Sequence, residues 1–421
     1  MKFSAFGRRF SRHTGTRALM EDLGEAMASG ASLMLGGGNP AYIPEVEQVL
    51  RDELARIADD PAAFRRLAGN YPSPGGEDGF RAALAEMLNE QYGWGLTRRN
   101  IALTAGSQTG FFQLFNLFAG DDGDGTQRRI LLPLTPEYIG YEDTGLTAGM
   151  FSSRRAEIEL LPERMFKYRV DFDALQPGED IAAICVSRPT NPTGNVLTDG
   201  EIARLSAIAR DHDVPMIIDN AYGMPFPQIV FSDITLQWNE DTVLCMSLSK
   251  LGLPAVRCGI VIAREEIVDA LAGMNAVMSL AVASVGPVLL QRLLQSGELL
   301  RLSREVIRPW YRQRAAQAVA WVHEQLEDCD YRIHRPEGAL FLWLWFPHLA
   351  VSSQVLYERL KARGVLVISG QHFFPGLDEP WAHRDECIRL TYSQDEHTVR
   401  EGIRIIGEEV RAIGTTCARA G

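Results

Sequence analysis

The run Ser247-Leu248-Ser249-Lys250, with Arg257 seven residues beyond, gathers an amine, two hydroxyls and a guanidinium behind an apparent strand that begins at Thr242. Lysine forms a Schiff base with an aldehyde, while hydroxyls and a planar guanidinium suit a phosphate dianion. A phosphorylated aldehyde would engage all four residues. Alone, the run equally describes a solvated loop, so its meaning rests on what else the chain supplies.

Asp219 ends another apolar run, Pro215-Met-Ile-Ile-Asp219, and Tyr222 follows three residues on. Ligands of parallel sheets collect at strand carboxyl ends, where an acid can keep a heterocycle nitrogen protonated and so make the ring an electron sink. A turn residue and a packed tyrosine explain the same pair. Asn191 lies in Ser187-Arg-Pro-Thr-Asn-Pro-Thr-Gly194, whose prolines fix an extended turn that can present the amide to a phenolate or carboxylate. Ser107 and Gln108 stand before a helical run, where free amides favour a phosphate; an ordinary serine N-cap is the alternative.

Arg389 lies in an apolar strand pattern, Cys387-Ile-Arg-Leu-Thr391, and an unpaired guanidinium there is costly. It calls for an anion, either a substrate carboxylate or a core aspartate or glutamate. Gly38, in Leu35-Gly-Gly-Gly-Asn-Pro40, allows close approach of backbone to a ligand, although a flexible connector has the same composition. Tyr138 can stack on a flat ring or simply pack.

The elements that must position these residues alternate in type. Strands are expected at 130–134, 181–187, 215–219, 242–247 and 259–263. Asp199 to Asp213 has its apolar residues Ile202, Leu205 and Ile208 at helical spacing, and a second helix, apolar almost all round, starts near Ser107. This is the pattern of an α/β fold, a mostly parallel sheet with helices on both faces. After about residue 290 the texture turns to charged helices, such as 303–327, around a strand-rich patch at 339–346. We expect a large domain over 51–300, a smaller α+β domain over 301–421, and an N-terminal segment, 1–50, that joins the smaller domain.

Composition excludes several classes. The 421 residues carry a net charge of −12 without a long basic run, so a nucleic-acid or anionic-membrane partner is not expected. The uncharged stretch 270–291 is interrupted by Asn275, Gly286 and Pro287 and reads as a buried loop and helix beside an active site or subunit interface. The six cysteines are scattered and read as reduced and structural, and no secretory signal opens the chain, so a cytoplasmic location is expected. His13, His334, His372 and His383 lack metal-ligand spacing, Asp121–Gly125 lacks the glutamate of a calcium loop, and no metal is expected.

In this order, and from Gly36 to Ser393, the motifs closely resemble the fold type I pyridoxal-phosphate aminotransferases of class I/II. Within the family, Glu137-Tyr-Ile-Gly-Tyr141, Asp219-Asn-Ala-Tyr-Gly223, the 245–254 run and Glu337-Gly-Ala-Leu-Phe-Leu-Trp-Leu-Trp345 resemble the branch that moves nitrogen from valine, or another small apolar amino acid, to pyruvate. The resemblance implies a seven-stranded, mostly parallel sheet and a homodimer with shared sites. It implies pyridoxal 5′-phosphate on Lys250, the base that moves the α-proton, with Asp219 on the pyridine nitrogen, Tyr222 and Asn191 on the ring oxygen, and Tyr138 on the ring face. It further implies a phosphate held by Ser107, Gln108, Ser247, Ser249 and Arg257, with Tyr71 reaching it from the second subunit. Arg389, with Asn191 and the backbone at Gly38, would hold the substrate carboxylate.

The chain departs from the commoner family pattern in one place. Ala255 replaces a glycine and the lysine-to-arginine spacer is one residue shorter, which bears on the contact expected of Ser249. A β-lyase or a transaminase of other specificity is the rival reading on the same scaffold. A ligand-sensing regulator would need a DNA-binding module that the ~35 residues before Gly36 do not resemble.

Overall fold

The computed structural model describes residues 1–12, 21, 24 and 33–414; His13 and Cys417 lie outside them. Its centre is a sheet in which Phe151–Leu160, Gln127–Thr135, Ile181–Ser187, Met216–Asp219 and Thr242–Ser247 lie side by side in parallel. Gly259–Ile262 then pairs antiparallel with both Thr242–Ser247 and Ile101–Thr104, completing the seven strands of the expected mostly parallel sheet. Every residue of Ile181–Ser187 is buried, as a strand covered on both faces requires.

The helices follow local chemistry. Asp199–Asp211 begins with a reciprocal capping box between Thr198 and Glu201, buries Ile202, Leu205 and Ala209, and stops before Asp213, whose φ of 54° is left-handed. Ser107–Phe118 buries Phe111, Leu114 and Phe115, with rings set against Tyr141 and Phe151. Its apolar surface covers one face of the sheet, the reason its sequence is apolar nearly all round.

Three expectations need correction. The strand-rich patch at 339–346 is not a separate sheet. Phe151–Leu160 runs on past its parallel neighbour to pair antiparallel with Met165–Val170, which leads through Arg332–His334 to Phe341–Trp345, Cys387–Thr391 and Ile368–Ser369 in one hydrogen-bonded path. The helix expected at 303–327 begins at Glu298 and passes through a π-helical turn, Leu302–Ile307, before Arg308–Gln325. Pro309 lacks an N–H and crowds the preceding turn, and a wider turn relieves both. Finally, 270–291 is not buried throughout: Glu265–Ser279 and Val285–Gln295 are packed helices, but Val277 and Met278 in the last turn of the first, and Leu280 just beyond it, are exposed at 89%, 53% and 69%.

Leu33–Met34 pairs with Val365–Leu366, so the chain leading to the glycines at 36–38 is tied to the C-terminal part. Five cysteines are described and all are unpaired. Among the described residues no helix is long and apolar enough to cross a membrane.

Candidate active site

A cavity of about 1000 Å³ opens at the carboxyl ends of the parallel strands, and every candidate residue except Tyr71 lines it. Lys250 stands in a short turn after Thr242–Ser247, closed by Gly252 at φ 100°. Its Nζ donates to the Gly38 carbonyl at 2.7 Å and lies 5.3 Å from the centre of the Tyr222 ring. Burial, aided by the Arg389 charge and opposed by Asp219, lowers its pKa to about 8. A buried amine that is partly neutral near neutrality is both a nucleophile for an aldehyde and a base.

Asp219 ends its strand with both oxygens occupied. Oδ1 accepts from the Ala221 N–H at 3.0 Å and Oδ2 from the Tyr141 hydroxyl at 2.8 Å. Burial outweighs these bonds and the Lys250 charge, raising the carboxyl to about 6. Tyr222 is buried beside it.

Arg389 projects from Cys387–Thr391. Its two terminal nitrogens donate to Asn191 Oδ1 at 2.7 Å and to the Gly36 carbonyl at 2.6 Å, and its guanidinium lies 4.1 Å from the Phe341 ring centre. Nε is buried without a partner, and among the described residues no carboxylate pairs with this cation. The core ion pair that the sequence left open is therefore not formed. A buried arginine with neutral partners and one idle nitrogen has the charge and the fork geometry to pair with a carboxylate. Its carbonyl neighbour is Gly36, whereas the Gly38 carbonyl is engaged by Lys250.

A second anion site lies at the other end. Gly106, not Ser107, caps Ser107–Phe118, so Ser107 is the first helical residue and its hydroxyl donates to the Met246 carbonyl at 3.4 Å. A Cβ at Gly106 would collide with the Arg257 guanidinium, which therefore lies directly against the start of the helix. Arg257 and the first-turn amides of Ser107 and Gln108 make a cationic cradle of phosphate chemistry. The Gln108 side chain is engaged elsewhere, on the Gly140 carbonyl at 2.7 Å. Ser247 and Ser249 line the same end; the Ser247 hydroxyl accepts from the Ser249 N–H at 3.2 Å. Tyr138 meets the Tyr141 ring edge-on, and Asn191 keeps its amide NH₂ for a ligand once its oxygen has bonded Arg389.

Tyr71 stays outside, 85% exposed, two residues before a turn closed by Ser73 and Gly76. Sequence reasoning passed over Tyr141, Ser187 and Glu137, which support Asp219 from behind. Tyr141 was visible within a motif, but nothing local ties it to an aspartate 78 residues away. Trp310 and Arg314, stacked at 5.1 Å, also line the cavity from a helix that the sequence offers only as a charged surface element.

A lysine able to form a Schiff base, an acid at a strand carboxyl end and two separated anion sites on a parallel α/β sheet suit an aminotransferase. Residues 33–406 match the model of the family aminotransferase class I and II, and the chain belongs to that family. It is 50% identical over 410 residues to valine–pyruvate aminotransferase of Escherichia coli K12, an alignment covering 97% of this chain and 98% of the relative. A putative amino-acid aminotransferase from Psychrobacter arcticum 273-4 superposes with a TM-score of 0.96 at 45% identity, covering 98% of this chain and 99% of the other. Valine–pyruvate aminotransferase from Salmonella typhimurium LT2 gives 0.87 at 47% identity over 95% and 99%. The fold is that of the fold type I transaminases.

Proposed function

We propose that the chain is a pyridoxal-phosphate transaminase that carries the amino group of valine, or another small apolar amino acid, to pyruvate, yielding 2-oxoisovalerate and alanine. The observation that carries this reading is the unpaired Arg389 in the same cavity as a half-buried Lys250, with the Arg257 cradle supplying a separate anion site. The names of the two half-identical relatives support the choice of substrates.

The cofactor, when bound, supplies an aldehyde that takes the amino group and a ring that accepts electrons from the substrate α-carbon. Arg257, Ser247, Ser249 and the amides at Ser107 and Gln108 hold its phosphate. Asp219 would keep a proton on its ring nitrogen, Asn191 and Tyr222 would donate to its ring oxygen, and Tyr138 would cover one face. Arg389 binds the substrate carboxylate and so fixes which α-bond faces the ring. Lys250, as a neutral amine, would be the base that moves the proton of the substrate α-carbon.

The working unit is a homodimer, in which Tyr71 of a second copy reaches the phosphate. Asn275 supports this: its amide donates to the Pro74 and Leu103 carbonyls, each at 2.9 Å, fixing the Tyr71 turn beside the exposed Val277, Met278 and Leu280. Free thiols agree with a cytoplasmic location.

A single turnover with valine tests the reaction: release of 2-oxoisovalerate with nitrogen retained on the protein supports it, and release of ammonia overturns it in favour of a lyase. Borohydride should fix the cofactor to the wild type and not to Lys250→Ala.

A further inference from the structure

Behind Asp219 runs a buried file of oxygens that the reaction just described does not use. The Tyr141 hydroxyl, which donates to Asp219, lies 3.3 Å from Ser187 Oγ, and Ser187 Oγ is 2.7 Å from Glu137 Oε2. Glu137 also accepts from the Ser187 N–H at 2.9 Å and the Tyr138 N–H at 3.1 Å, while its own N–H donates to the Phe373 carbonyl at 2.7 Å. All four side chains are buried or nearly so.

Counting protons gives the file a direction. Tyr141 has one proton, committed to Asp219. With Glu137 ionised, the Ser187 proton is committed to Glu137, and the Ser187–Tyr141 contact is left with lone pairs on both sides. Two carboxylates would then share one dry region, and among the described residues Glu137 has no cation in ion-pair reach. A proton on Glu137 resolves both problems: Glu137 donates to Ser187, Ser187 to Tyr141, and Tyr141 to Asp219. Each hydroxyl then both accepts and donates.

We propose that Glu137, Ser187 and Tyr141 form a one-way hydrogen-bond relay, with Glu137 as its neutral donor end, that holds Asp219 in its ionised form. The inference rests on the reading that Asp219 faces the cofactor's ring nitrogen, and it makes all three positioning residues. Electrostatics agree. Burial, reinforced by Asp219, pushes Glu137 to about 8, against about 6 for Asp219. The groups facing the file are the Cys185 and Cys245 thiols, the Tyr138 phenol, and on the cavity side Lys250, Arg389 and Arg257. Of these cations Lys250 acts on Asp219, which keeps the negative charge at that end of the file.

The test follows cofactor affinity against pH in the holoenzyme, with borohydride trapping at Lys250 and thermal unfolding in parallel. Tyr141→Phe removes a hydrogen bond to a charged group, so the cofactor dissociation constant should rise roughly tenfold or more, and the acid limb of affinity should move to higher pH. Ser187→Ala should shift both in the same direction by less, and it carries the test should Tyr141→Phe not fold. Glu137→Gln keeps the acceptor for the Ser187 N–H and a donor toward Ser187 Oγ, losing only the acceptor for the Tyr138 N–H, so it should hold the acid limb close to the wild type where Glu137→Ala does not. Wild-type affinity and acid limb in Tyr141→Phe, or Glu137→Gln as impaired as Glu137→Ala, overturns the relay while the trapped adduct leaves the transaminase reading intact. Absence of a trapped adduct in the wild type overturns both.

Discussion

Lys250 and Arg389 share a cavity in which burial disfavours both charges, and the Arg389 charge further disfavours that of Lys250. Without cofactor, the Lys250 amine should react with an added aldehyde at a rate that climbs with pH and levels off above about 8, where the amine is neutral. A rate still climbing toward the usual lysine range would mean the amine is solvated. Arg389→Lys removes the fork that holds Asn191 and the idle Nε together. The KM for amino acid should rise by about 10- to 100-fold with the cofactor spectrum unchanged, the equivalent of one or two charge-assisted bonds. Glu137 contributes to stability with a definite sign. Its folded value lies above its unfolded one, so folding takes up a proton between about 4.5 and about 8, and stability falls as pH rises through that window. In cofactor-free protein, Glu137→Gln should flatten that fall, measurable by denaturant titration at several pH values. At this scale the sequence exposes the residues that chemistry makes unusual for their setting: an arginine in an apolar strand, an acid ending another, a lysine among serines. It hides those that act through a neighbour, because Glu137, Ser187 and Tyr141 are ordinary residues until the fold stacks them.

Single elements carry two cases in which a small polar group organises a larger unit. Asn275, within Glu265–Ser279, donates to two carbonyls, in a buried bond to Leu103 and a half-buried one to Pro74, and accepts from the buried Gln113 amide at 2.9 Å. Asn275→Ala strands those partners and should cost about 2–3 kcal/mol in chemical unfolding, with weakened cofactor binding as the Tyr71 turn loosens. Thr198→Ala removes a capping hydroxyl on the far side of the sheet, from the helix Asp199–Asp211. It should cost about 1 kcal/mol and leave cofactor affinity alone, separating general destabilisation from a local effect. The parallel strands were legible because burial on both faces writes continuous apolar runs such as Ile181–Ser187. Met165–Val170 was not, because it alternates apolar and charged residues, Phe166, Tyr168 and Val170 against Lys167 and Arg169, over only six positions. The π-helical turn left no periodic trace at all; Pro309 alone hinted at a break.

For the whole molecule, the exposed Val277, Met278 and Leu280 beside the Tyr71 turn set a clear expectation for assembly. Substituting Met278 and Leu280 with charged residues should shift the protein to monomer in sedimentation and abolish turnover, and unchanged sedimentation would remove the dimer from the proposal. The sheet order has a further consequence, for how the chain comes into being. Among the described residues, Ile101–Thr104, the sheet's first strand in sequence, finds its strand partner in Gly259–Ile262, and Leu33–Met34 in Val365–Leu366. A ribosome therefore releases each of these segments long before its partner strand exists. Ile101–Thr104, buried at every position in the finished fold, must wait as an open edge through the synthesis of most of the sheet, a long-range pairing of the kind that slows folding and exposes apolar surface.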